Sequence, residues 1–344
     1  MNRFFIVCFL VAICQVTGQA KAAKQSPYQP FIKKIQKRLK NNPKDHRLHT
    51  VLGRLYQKSG DLKKAQRHYR KALRISPDFL HAKVGMAHVY LKRNRWKKAR
   101  SILRRLLKKY KKQPPASVLE KMSELHRLYA LRAKARSKKQ RYHFVTSILY
   151  LEQAIKASPK RHRYRYKAGL LYLATRDYIK AHLHFVTAVS QLPYHPCYRL
   201  GLYLSKSFIG QKYQESLNKL EHWLPRCSHP LLFSMATRMH MTLAVQLANQ
   251  KSQKGKKKAA IKVLQDALKK NPKMPSGHMF LLLLLYETNR CAEARKVLQT
   301  LLKLNPKHKF SKDLLRNPKF KNCFSKKRHR PKVKAKRDLK QTKR

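Results

Sequence analysis

Acid–base chemistry needs carboxylates, and this chain has 14 Asp and Glu against 83 Lys and Arg, few enough to weigh singly. Glu120 and Glu124 stand one helical turn apart, a spacing at which a pair could act as acid and base. Their neighbours are Lys121, His126 and Arg127, and ion pairing with these cations is the stronger expectation. Asp45, Asp61, Asp78 and Asp177 precede stretches of helical periodicity, where a carboxylate caps backbone N–H groups. The other eight acids are isolated along the chain. The 17 histidines include no HExxH pair; His182 and His184 point to different helix faces, and His46 and His49 lack a third ligand. No GxGxxG, Walker A or GxSxG motif occurs, and no CxxC. The expectation is a protein without cofactor, metal or catalytic residues, and without a small-molecule substrate.

The elements that position these side chains are legible in residues 46–79, HRLHTVLGRLYQKSGDLKKAQRHYRKALRISPDF. Leu52, Gly53 and Tyr56 fall on one face of a first helix, and Ala65, Tyr69 and Ala72 on one face of a second. Gly60 supplies the turn, Asp61 the cap, and Pro77 ends the unit because proline cannot continue a helix. The stretch is 34 residues long, and Pro43/Pro77, Pro159/Pro193 and Pro272/Pro306 repeat that interval. Tyr56 recurs as Tyr90 and Ala65 as Ala99. A second clear copy, 162–195, carries Gly169, Tyr172, Ala181, Phe185, Ala188 and Pro193.

Seven positions of the first copy, Leu52, Gly53, Tyr56, Ala65, Tyr69, Ala72 and Pro77, resemble the tetratricopeptide repeat, with His49 where that family has Trp. The resemblance implies an all-α fold, a right-handed α–α superhelix (solenoid) of about seven helix-turn-helix repeats. The expected repeats lie near 46–79, 80–113, 119–161, 162–195, 196–229, 231–274 and 275–308. The array with its caps would fill 31–325, opened by a helix from about Phe31 to Lys40 and closed by a short helix near 311–316. Repeat three has about nine extra residues by comparison with the family period, including LRAKARSKKQR, and reads as a lengthened helix pair or as a basic loop. Repeat five is degenerate, with Leu220 and Trp223 filling inner positions of its second helix. Repeat six carries a Lys-rich loop at 251–258.

The family binds segments of other proteins in a groove lined by first helices. Carried over, the groove positions are Arg47, Thr50, Arg54, Gln57 and Lys58 in the first repeat. In the second they are His81, Val84, His88, Leu91 and Lys92, and in 162–195 Arg163, Tyr166, Leu170, Leu173 and Ala174. The cationic first two repeats suit an acidic protein or peptide segment. Thr50 and Arg54 do not match the Lys/Asn clamp by which some members hold a C-terminal carboxylate.

Residues 1–20 read as a secretory signal peptide: Arg3, then an apolar run through Cys14, then small residues for cleavage after Ala20 or Ala22. An uncleaved anchor is the alternative. Residues 21–30 read as a linker and 326–344 as a basic disordered tail. Export points to a periplasmic or secreted protein, the bacterial periplasm first, and to an oxidising compartment. Cys197 opens repeat five and Cys227 ends it, and in an antiparallel hairpin these ends are neighbours, so a disulfide is expected there. Cys291–Cys323 follows by elimination, and buried free thiols are the alternative.

A formal net charge of +69 bears on partners rather than fold. Three readings follow: an exported, non-catalytic scaffold for an acidic protein partner; binding of a polyanion such as lipopolysaccharide, a cell-wall polymer or nucleic acid; or a solvated basic surface. Arg161-His162-Arg163-Tyr164-Arg165-Tyr166 interleaves cations with aromatics, which suits base stacking, although tyrosines at helical spacing more often belong to a core.

Overall fold

A computed structural model describes residues 26–210, 212–306 and 323. The signal-peptide reading, the closing helix near 311–316 and the basic tail lie outside these residues. Every regular element described is helical, and no described helix is long and apolar enough to cross a membrane. Chain contacts divide the molecule into two compact units, residues 1–171 and 172–344.

The first unit begins with α1 (Gln29–Asn41). Three helix pairs follow: α2 (His46–Lys58) with α3 (Leu62–Ile75), α4 (Leu80–Lys92) with α5 (Trp96–Lys109), and α6 (Ala116–Arg132) with α7 (Lys138–Ala157). Helix α8 (His162–Thr175) starts here. Each helix packs on its successor through α7, and the first helices α2, α4 and α6 also pack in sequence. That second set of contacts is what makes a stack, because one helix pair cannot bury its apolar face alone.

Small residues bring the backbones together. Ala65, Ala72 and Ala99 are wholly buried, and Tyr69, 2% exposed, fills the space left by two glycines. A Cβ on Gly85 would stand 2.4 Å from the Tyr69 ring, and one on Gly53 2.9 Å from it. Tyr69 is thus the wedge between α2, α3 and α4. Beyond it, Ala87, Leu91, Leu103, Leu106, Met122 and Leu125 form the core of the next pair.

The second unit repeats the scheme with α9 (Tyr178–Gln191), α10 (Pro196–Ile209), α11 (Tyr213–Trp223), α12 (Pro230–Gln253), α13 (Lys257–Lys270), α14 (Pro275–Glu287) and α15 (Cys291–Leu304). Here α10, α12 and α14 pack in sequence as first helices. A Cβ on Gly201 would meet the Phe185 ring at 2.4 Å, the arrangement of Gly85 and Tyr69 over again. Cys197 and Cys227 form a disulfide (S–S 2.11 Å, Cα–Cα 4.8 Å), joining the start of α10 to the residue after the 3-10 turn Leu224–Arg226. Cys291 and Cys323 form a second (S–S 2.08 Å), and Arg295 donates to the Cys323 carbonyl.

One hydrogen bond recurs with the repeat. His49 Nε2 donates to the Pro43 carbonyl (3.1 Å), Arg199 Nε to that of Pro193 (2.6 Å), and His278 Nε2 to that of Pro272 (2.8 Å). Each donor lies six residues past its proline. The side chain at the family's Trp position thus ties the start of a first helix to the end of the preceding pair.

Several expectations need correction. Helix α1 starts at Gln29, inside the stretch assigned to a linker, with Pro30 in its first turn. Asp45, Asp61 and Asp177 cap as expected, accepting from Leu48, Lys64 and Lys180 backbone N–H groups. Asp78 does not cap, because the N-cap of α4 is Phe79; Asp78 pairs instead with Lys83 (2.7 Å) and Lys109 (3.0 Å). The extra residues of repeat three lengthen both helices, to 17 and 20 residues, rather than forming a loop. In repeat six, α12 runs on to Gln253 and α13 resumes at Lys257, so the Lys-rich loop shrinks to a turn at Gly255 (φ 72°). In α11 the buried residues are Leu217 and Leu220, while Trp223 sits half-buried beneath the Arg199 guanidinium at 5.3 Å.

Candidate functional site

The first helices of the first unit line a cleft of about 680 Å³. Arg54, Gln57 and Lys58 reach it from α2, His81 and His88 from α4, and Glu120 and Lys121 from α6. Lys160 and Arg161 enter from the turn before α8, and Arg163 from the first turn of α8 itself. Gly85 matters here twice, because its missing side chain both admits Tyr69 and leaves the cleft floor open.

A buried polar chain runs beneath the cleft. Tyr69 Oη donates to Gln57 Oε1 (3.2 Å), and Gln57 Nε2 donates to His88 Nδ1 (2.8 Å). That leaves the His88 proton on Nε2, facing Glu124 at 3.8 Å. Lys121 bridges Glu124 (2.8 Å) and Glu120 (3.2 Å), and Lys167 also pairs with Glu120. Burial alone would raise both carboxyls, but the lysines outweigh it and hold Glu120 and Glu124 below the ordinary carboxylate range. Burial, with Lys121 adding to it, pushes His88 down to about 4. Burial takes Tyr69 up to about 12. At neutral pH the chain therefore holds two carboxylates, their lysines, and a neutral histidine.

This arrangement uses up the two acids and leaves the rim cations over. Among the described residues Arg54, Lys58, Lys160, Arg161 and Arg163 have no carboxylate partner. Five cations without a carboxylate partner face one hollow and give it a positive potential. Among the described residues no group of three potential metal ligands is assembled.

The geometry gathers Arg54, Lys58, His81, His88 and Arg163 from the expected groove residues. Arg47, Lys92 and Tyr166 are not among its lining residues. Thr50, Leu91 and Leu173, carried over as groove-facing, are buried. Thr50 bonds back to the His46 carbonyl, and Leu91 packs in the core with Leu103. Tyr164 is likewise buried, so the interleaved tyrosine run does not present it for stacking. Lys160 was not expected, and Arg161 was read only as part of a cation–aromatic run suited to base stacking; both lie on a turn between repeats, where groove positions on first helices give no signal.

The tetratricopeptide repeat family model matches residues 56–120 and 253–314, one stretch in each unit. Residues 56–120 and 253–314 are thus tetratricopeptide repeats. Among solved structures the chain is similar to TTC0263, a thermophilic TPR protein of Thermus thermophilus (18% identity, 57% of this chain and 97% of that one, TM-score 0.46). It is also similar to Pseudomonas aeruginosa pilF (18% identity, 70% of this chain and 97% of that one, TM-score 0.47). A third is YrrB, described as a TPR protein with an unusual peptide-binding site (15% identity, 59% and 97%, TM-score 0.38). No curated protein matches the chain. The cleft lies on the first helices of the helix pairs in the first unit, within and beside the matched stretch 56–120.

Proposed function

We propose that this protein is a non-catalytic, exported scaffold whose first-unit cleft holds an acidic segment of a partner protein. The observation that carries the reading is the set of rim cations, Arg54, Lys58, Lys160, Arg161 and Arg163, around a hollow whose own carboxylates are already engaged by Lys121 and Lys167. Paired, ionised carboxylates serve as structural charges and not as general acids, which favours binding over turnover. Export is supported by the N-terminal sequence and by two disulfides, which persist in oxidising compartments. The buried chain through Gln57 and His88 fixes the floor, so the ligand meets a preformed surface.

The test is fluorescence anisotropy with a labelled acidic peptide. Arg54→Gln with Arg161→Gln is expected to weaken binding several-fold, since each exposed charge pair is worth about 0.2–1 kcal/mol. Equal affinity for the wild type and this double variant overturns the assignment. A second reading, polyanion binding, rests on a different surface of the same unit.

A further inference from the structure

The second helices of the first unit carry a separate hollow, of about 360 Å³. Helix α3 presents Lys63, Arg67, Arg70 and Arg74 along one stripe, spaced by one turn or slightly less. The turn between α4 and α5 adds Arg93 and Arg95. Asn94 takes the left-handed conformation (φ 56°), and Arg95 N–H closes the turn on the Tyr90 carbonyl (2.8 Å). Arg93 then reaches back across α3, where it donates to Gln66, a side chain only 5% exposed. The guanidinium is therefore held in place before any ligand arrives.

Among the described residues none of these six cations has an ion-pair partner, and no acidic, apolar or aromatic side chain lines the hollow. Those features narrow the ligand. A peptide would need apolar or main-chain contacts, and a single-stranded nucleic acid would need aromatic faces for its bases. Guanidinium forks match phosphate oxygens two at a time. The neighbouring His68, on the same helix, is pushed down to about 4 by burial first, then by His49, Lys71 and Arg67.

We infer that this outer hollow binds an oligophosphate group, presented either free in solution or on a phosphorylated lipid headgroup. The site lies on α3 and the α4–α5 turn and shares no lining residue with the cleft, so it does not depend on the peptide reading.

Calorimetric titration of the full chain with inorganic tripolyphosphate tests it. Arg70→Gln, Arg74→Gln and Arg93→Gln together are expected to weaken binding by roughly tenfold or more. A charge-matched variant on α7, Lys138→Gln, Lys139→Gln and Arg141→Gln, is expected to change it by about twofold at most, as for exposed charges. Equal losses in the two variants overturn the site, because they mean diffuse charge attraction alone. Replacing the same three arginines by Lys keeps the charge, and a loss of more than about threefold then reports the lost forks; unchanged binding contradicts them. Vesicles containing a phosphatidylinositol bisphosphate, titrated in parallel, separate the sources: retention by the wild type and release by the Gln variant assigns the headgroup, while binding of tripolyphosphate alone assigns the free group. A single-stranded DNA that binds tighter than tripolyphosphate and loses equally in the Gln variant overturns the phosphate-only reading.

Discussion

Lys121 is the residue on which the cleft floor turns, being 8% exposed and in contact with two carboxylates that have little water. Replacing it with Ala strands Glu124 and weakens the hold on Glu120. The expected cost is about 3–5 kcal/mol of stability, measured as a shift in urea unfolding. A loss under about 1 kcal/mol, the range of an exposed pair, contradicts the buried network. The pH dependence has two parts. Glu120 and Glu124 have folded values below 4.5, so their contribution is complete above that pH and fades as pH falls through the lower folded values. His68, His88 and His126 are each lowered from 6.5 to about 4, burial being the first cause for all three. As pH drops through that window the unfolded chain takes up protons that the folded chain refuses, and stability declines. Unfolding midpoints measured between neutral and acid pH are expected to fall, with His126→Asn removing one proton from the slope; a midpoint flat over this range contradicts it.

At the scale of the helix, packing is set by glycine facing an aromatic. Gly85→Ala places a methyl 2.4 Å from the Tyr69 ring, and Gly53→Ala places one at 2.9 Å. Both are expected to destabilise, Gly85→Ala more, by roughly 1–3 kcal/mol of overpacking strain. Thermal denaturation that ranks them the other way removes Tyr69 as the wedge. In the second unit, reducing Cys197–Cys227, which closes a loop with a sequence separation of 30, is expected to cost about 3 kcal/mol, read as a fall in the melting temperature. The Cys197→Ser/Cys227→Ser variant should show no further effect of reductant at this site; a melting temperature unmoved by the double change contradicts the bridge's contribution.

Much of this scale was legible. Spaced small residues and aromatics, Gly53, Ala65, Tyr69 and Ala72, marked the buried faces because they recur with the helix period. The proline interval marked the pair boundaries. What stayed hidden was set by tertiary neighbours. Gly85 carries the tightest approach to Tyr69 but lies outside the repeat's signature positions. Lys160 and Arg161 come to the cleft because a turn brings them there, and turns carry no periodicity. Asp78 differs from Asp45 by a single residue of offset, enough to exchange a cap for an ion pair with Lys83. The Glu120/Glu124 pair was read correctly as ionic from composition, yet its burial, and its partner Lys167, could not be read from local sequence.

With 83 cations against 14 acids in the sequence, nearly every carboxylate among the described residues has an ion-pair or capping partner, while most cations there have no carboxylate. Such a surface attracts any polyanion, so affinity alone says little about specificity. The specific contribution is what survives screening, since the Debye length shrinks from about 10 Å at 0.1 M salt to about 3 Å at 1 M. A peptide held in a preformed cleft keeps short-range hydrogen bonds to Arg54 and Arg161 under those conditions, whereas diffuse attraction is lost. The most direct measurement is therefore the affinity of the acidic peptide for the wild type and for Arg54→Gln/Arg161→Gln, each titrated from low to high salt. The account predicts that the wild type retains measurable binding at the high end and that the double variant does not. Two salt curves that superimpose, both reaching zero together, would contradict it.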